Sequence, residues 1–174
     1  MNILALDLAT TTGWALRENG LLTWGHEDFA PRRGDSPGMR QLRLARWLAE
    51  MAIRPGLTAR SPAASPMIEL IAFERAHHRG GAATHVCVGM MARVEEFCAE
   101  HGIEHVAVTT SELKRFALGK KPKDRSKGAM IRAGQLRVDA IKHLDLHGCG
   151  VLTEDEADAL WVLWWAEDQV GARR

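Results

Sequence analysis

Two carboxylates stand within apolar strand sequences, and two more open the last helix. Asp7 interrupts the apolar run of "ILALDLATTTGWAL" (residues 3–16), Glu74 closes that of "MIELIAFER" (67–75), and Asp155 and Asp158 fall in "DEADAL" (155–160). An unpaired charge in a buried strand costs several kcal/mol, so each needs a cation, a metal or hydrogen-bond donors. Asp155 and Asp158 are three residues apart and share a helix face, whereas Glu156 is placed to cap the helix with Thr153. Taken singly, each acid has an ordinary explanation: Asp7 can face outward from a half-covered sheet, and acids at a helix start complement its dipole. Taken together, they can converge. Four acids without basic partners would repel one another, and divalent cations resolve that repulsion. Oxygen-only ligands select Mg²⁺ or Mn²⁺, and two such ions about 3.5–4 Å apart form a clamp for phosphodiester hydrolysis.

Basic residues are concentrated in one place. Lys and Arg total 23 against 22 Asp and Glu, so the overall charge names no partner. From Lys114 to Arg132, however, Lys114, Arg115, Lys120, Lys121, Lys123, Arg125, Lys127 and Arg132 face one acid, Asp124. Such a run suits phosphates as well as solvent. Directly after Glu74, "RAHHRGG" brings Arg75, His77, His78 and Arg79 into a loop beside that acid, where basic side chains could meet phosphates. The adjacent histidines lack a third ligand at metal-site spacing.

The elements that must position these groups follow from periodicity and turn chemistry. Residues 2–8 read as a buried strand, and "TGWALREN" and "GLLTWGHEDF" as two more, joined at Asn19-Gly20, a hairpin signal. "MRQLRLARWLAEMAI" predicts a helix with Leu42, Ala45, Leu48, Ala49 and Ala52 on its apolar face. A strand over 67–75, a helix over 83–102 ending at Gly102 and a strand over 103–110 come next. "SELKRFAL" predicts a short helix capped by Ser111, and 126–144 a longer one. The last helix opens at the Thr153–Glu156 capping box and contains "LWVLWWA". There Leu160, Trp161, Leu163, Trp164 and Trp165 wrap most of the helix, which marks it as buried. The order βββαβαβα with closing helices predicts a mixed sheet covered on its faces, in a single domain spanning residues 1–174.

With these motifs in view, the chain resembles the RuvC-type Holliday-junction resolvases of the RNase H-like superfamily and their phage-borne relatives. "ILALDLATTTGWAL" resembles the family's first-strand motif, "IAFER" its Glu motif and "DEADAL" its final Asp-x-x-Asp-Ala-Leu motif, in order, over nearly the whole chain. The chain differs at Leu8-Ala9, where the family commonly has Pro-Gly. The resemblance implies an α/β fold with a five-stranded sheet, three antiparallel strands then parallel ones. It implies that Asp7, Glu74, Asp155 and Asp158 bind the metal ions, with Lys114 and Lys127 closest to the family's essential basic positions. It further implies resolution of four-way DNA junctions by a homodimer contacting through the helix that contains "VCVGMMARVEEF", and places His77 nearest to the residue that wedges into the junction.

Other readings are narrower. The first motif also resembles that of the sugar-kinase and actin ATPases, but those need two such domains around the nucleotide. A non-catalytic nucleic-acid-binding module would not need the complete acidic set. A nuclease of the same superfamily acting on flaps, forks or RNA intermediates stays open. Cys87, Cys98 and Cys149 are odd in number and lack CxxC spacing, which argues against a disulfide framework and fits a reducing cytoplasm. No run of eighteen apolar residues predicts a membrane span.

Overall fold

The computed structural model describes residues 1–52, 67–75, 81–120, 124, 126–141 and 151–172. Five strands, β1 (Ile3–Asp7), β2 (Thr11–Glu18), β3 (Leu21–Asp28), β4 (Leu70–Arg75) and β5 (Glu104–Thr109), form one sheet in the order β3-β2-β1-β4-β5. β1, β2 and β3 pair antiparallel, and β4 and β5 continue the sheet in parallel with β1. The β2–β3 hairpin turns at Asn19 (φ 51°) and Gly20 (φ 87°), the two positive values that a twist-matched two-residue loop demands.

The helices are α1 (Met39–Ala52), α2 (Ala82–His101), α3 (Thr110–Leu118), α4 (Lys127–Ile141) and α5 (Glu154–Gly171). Two apolar layers divide them. Ile3 and Ala5 of β1 and Leu70 and Ala72 of β4 face α5, α3 and α4, whereas Leu4 and Leu6 and Ile71 and Phe73 face α1 and α2. Alternation along a strand produces this division, and burial on both faces explains why β1 reads as an unbroken apolar run. Among the described residues, no helix is long and apolar enough to cross a membrane.

Alternation also decides where the acids point. Asp7 continues the row Ile3, Ala5 and Glu74 the row Leu70, Ala72, so both belong to the face covered by α5. Small side chains lie beneath that helix: Ala5, Ala15 and Ala72 in the sheet meet Ala157 and Ala159 of α5, all fully buried. Leu160, Trp161, Leu163 and Trp164 of α5 are buried within the chain itself, and Trp165 is half-buried.

Two local expectations are corrected. The N-cap of α3 is Thr109 and not Ser111, because Glu112, three residues after Thr109, completes a capping box with it. On α1, Ala45, Leu48 and Ala52 are buried as expected, but Leu44 and Met51 complete the buried face, while Leu42 is exposed and Ala49 half-buried. Both stripes obey helical spacing, and only the position of the sheet chooses between them.

Candidate active site

β1 and β4 are neighbours, and Leu6 pairs with Phe73, so the next residue along each strand is Asp7 and Glu74. These two carboxylates leave the C-terminal edge of the sheet side by side. α5 begins above them. Thr153 caps it, accepting from the Glu156 backbone N–H at 3.3 Å, while the Thr153 N–H donates to Glu156 Oε2 at 2.9 Å. Glu156 Oε1 also lies 3.1 Å from His26 Nδ1. Glu156 is therefore occupied by the cap, which leaves Asp155 and Asp158 to face the strands.

Asp7, Glu74, Asp155 and Asp158 line one cavity of about 310 Å³, together with Ala9, Thr110, Leu113, Lys114, Lys127, Met130 and Glu154. Burial pushes the Asp7 carboxyl up to about 8, helped by the charges of Asp158, Glu74 and Asp155 and opposed by Lys127. Burial likewise pushes Asp158 up to about 6, with Glu74 and Asp155 adding to the rise and Lys127 and Lys114 opposing it. Acids pushed up by burial first and by neighbouring acids second mark a cluster short of positive charge.

The donor set fits a hard divalent cation, being oxygen throughout. The carboxylates line the cavity rather than meeting at a point: among the described residues, no three His, Cys, Asp or Glu side chains stand as a ready single-ion site.

The structure separates the basic residues. Lys114, half-buried on α3, and Lys127, exposed at the start of α4, line the acidic cavity. Lys127 Nζ is paired with Glu154 Oε1, a partner the sequence did not suggest. Arg115 and Lys120 line a different cavity of about 470 Å³ between α3 and α5, beside Phe116 and Trp165. Arg132 pairs with Asp124 at 2.9 Å, which reduces the free charge of the segment. Arg75 is exposed at the end of β4. His77, His78, Arg79, Lys121, Lys123 and Arg125 lie outside the described residues.

Two site-building residues escaped the sequence reading. Thr110 Oγ1 donates to Glu74 Oε1, which fixes that carboxylate from the neighbouring β5–α3 junction. Gly13, paired with Asp7 across β1 and β2, sits directly under the start of α5. A Cβ there would lie 1.9 Å from the Asp155 carbonyl oxygen. Glycine inside a strand signals a close backbone approach, so a clue was present, though it did not name the partner.

No protein-family model matches the chain, and no curated protein matches it by sequence. Among solved structures it is similar to Thermus thermophilus RuvC, with 16% identity, a TM-score of 0.63 and 97% of each chain covered. It is also similar to T. thermophilus RuvC in complex with Holliday junction substrate, with 15% identity, a TM-score of 0.63, and 97% of this chain and 96% of that one covered. Nearly end to end, the chain therefore has the RNase H-like fold that those structures share, with its four acids at the C-terminal edge of the central strands.

Proposed function

We propose that the protein is a divalent-metal-dependent, structure-selective endodeoxyribonuclease that resolves four-way or otherwise branched DNA, with Asp7, Glu74, Asp155 and Asp158 as metal-binding residues. One observation carries this reading: four carboxylates from two strands and one helix share a single cavity, with Asp7 pushed up to about 8 by burial and by the others. The fold shared with RuvC along nearly the whole chain supports it.

Bound there, Mg²⁺ or Mn²⁺, as one or two ions, would supply Lewis-acid stabilisation of the phosphate and a more acidic water. The chain's own residues do the positioning. Thr110 donates a hydrogen bond to the Glu74 carboxylate, and Gly13 lets the first turn of α5 approach β2 beside Asp7. Lys114 faces the same cavity from α3, placed to stabilise negative charge developing on the phosphate. Cutting both strands of a junction calls for two such sites. We propose that a homodimer provides them through α2, whose Val88 is exposed.

A panel of synthetic four-way junctions, forks, flaps and linear duplexes tests the reading. Cleavage of the junction is expected with Mg²⁺ or Mn²⁺ and none in EDTA. Ca²⁺ is expected to support binding without efficient turnover, because its looser coordination positions the attacking water poorly. Preference for forks, flaps or RNA would move the substrate assignment within the superfamily. Cleavage of no substrate, or full activity in EDTA, overturns the proposal.

The separation of the basic residues yields a second expected result. Lys114→Ala should lower the single-turnover rate at saturating DNA by about a hundredfold, since it removes a group acting mainly in the transition state. Lys120→Ala should weaken binding and reduce the slope of log K against log salt by about one. A Lys114 variant that loses affinity yet keeps its saturated rate would assign Lys114 to backbone contact instead.

A further inference from the structure

The connection between β3 and α1 contributes no residue to the acidic cavity, yet it is firmly built. In "APRRGDSPGMR" (30–40) the Asp35 N–H donates to the Arg32 carbonyl at 3.0 Å, and the Arg32 N–H donates to Asp35 Oδ2 at 2.6 Å. This closes a tight turn with Arg33 and Gly34 at its centre. Gly34 has a φ of +89°, a conformation that favours glycine. Arg43, one turn into α1, donates to the Ala30 carbonyl at 2.7 Å and pairs with Asp35. Asp35, the sole acid between Arg32 and Arg46, is thus engaged in holding the turn, and the Arg32 N–H and Arg43 keep its carboxyl below the usual range. The side chains of Arg32 and Arg33 are exposed.

The turn also has a defined place relative to the acids. The Phe29 N–H donates to the Thr10 carbonyl at 2.9 Å, tying the start of the connection to the β1–β2 turn that follows Asp7. β3 and β5 are the two edges of the sheet, with β1 and β4, the strands of Asp7 and Glu74, between them. Because β1, β3, β4 and β5 run in the same direction, the arginine turn and the Lys114 helix leave the same end of the sheet, on opposite sides of the carboxylates. Two strand spacings separate β3 from β1, about 10 Å, or about three base steps along a duplex.

Arg40, in the first turn of α1, belongs to this end of the molecule. It is half-buried, and its Nε has no hydrogen-bond partner among the described residues.

We propose that the Arg32–Asp35 turn and the first turn of α1 form a second phosphate-binding surface, on which Arg32, Arg33 and Arg40 hold the DNA backbone across the acidic cavity from Lys114. The inference rests on the nuclease reading and adds a two-sided grip. A turn already fixed by Asp35 and Arg43 presents its guanidiniums with little ordering left to do on binding.

DNA binding by the full chain in EDTA, measured at several salt concentrations with a short duplex and a four-way junction, tests this. Arg33→Ala should reduce the slope of log K against log salt by about one, and the Arg32→Ala, Arg33→Ala double variant by about two, with affinity about tenfold or more lower. Arg33→Lys should restore most of the slope, because it returns the charge. Both residues are exposed, so the variants are expected to keep the melting temperature of the parent. An unchanged slope in the double variant, alongside a reduced one in Lys120→Ala, overturns the second surface and leaves the nuclease reading standing. Absence of salt-dependent binding by the unmodified protein overturns both.

Discussion

Replacing Asp7 by Asn is expected to abolish cleavage, leave DNA binding intact or tighter, and stabilise the metal-free protein. The first two effects follow from removing one proposed ligand and one negative charge near the phosphate. The third follows from the carboxyl being pushed up to about 8 by burial and by Asp158, Glu74 and Asp155. Between pH about 4 and 8 the folded, metal-free chain binds a proton at Asp7 that the unfolded chain releases, so folding stability declines as pH rises through that window. Asn carries no charge to bury and removes this decline. At pH 8 in EDTA, Asp7→Asn should be more stable by several kcal/mol, with Tm rising about 2–4 °C for each kcal/mol, and the difference should shrink towards pH 4. Melting curves across that range, with and without Mg²⁺, check the electrostatic claim independently of activity. An Asp7→Asn protein that cleaves at the parent rate would remove Asp7 from the site, and one that melts like the parent at both ends of the range would remove the acid cluster.

Gly13→Ala is expected to be nearly as damaging, although glycine carries no chemistry. The added Cβ would fall 1.9 Å from the Asp155 carbonyl oxygen and 2.3 Å from its carbon, both backbone atoms at the capped start of α5. Backbone cannot turn aside as a side chain can, so α5 must lift away from β2 or tilt. Overpacking of this kind costs about 3 kcal/mol, or about 6–12 °C in Tm. The lift also carries Asp155 and Asp158 away from Asp7 and Glu74. Cleavage at saturating DNA should fall by about a hundredfold or more, while the slope of binding against salt stays nearly unchanged, because Arg32, Arg33 and Lys120, the proposed backbone contacts, lie outside the acidic cavity. A Gly13→Ala protein with parental Tm and cleavage rate would show that the close approach of α5 is not needed.

Much of the architecture was legible because it is specified locally. The Asn19-Gly20 turn, the αL cap at Gly102 and the Thr153–Glu156 capping box each depend on residues within a few positions of one another, and all three form as their sequences predict. The acidic set was legible for a related reason. Asp7 and Glu74 each break an apolar run, and a carboxylate amid buried residues is conspicuous without any knowledge of its neighbours. Where the sequence offered two local solutions, the choice was less secure: Thr109 and Ser111 can both cap a helix, and α1 has two apolar stripes of helical spacing.

The elements, their order, the four acids and the basic segment can all be read locally from the chain. Tertiary structure alone decided that the acids share a cavity, that Lys114 belongs to it while Arg115 and Lys120 do not, that Gly13 admits α5 and that Thr110 holds Glu74. The same holds for the arginine turn, which in the sequence is a polar connection and in the fold lies across the carboxylates from Lys114. The difference is one of range. Turn and cap preferences act through hydrogen bonds a few residues long, whereas the site depends on which sheet face each strand presents and on how closely a distant helix can approach it.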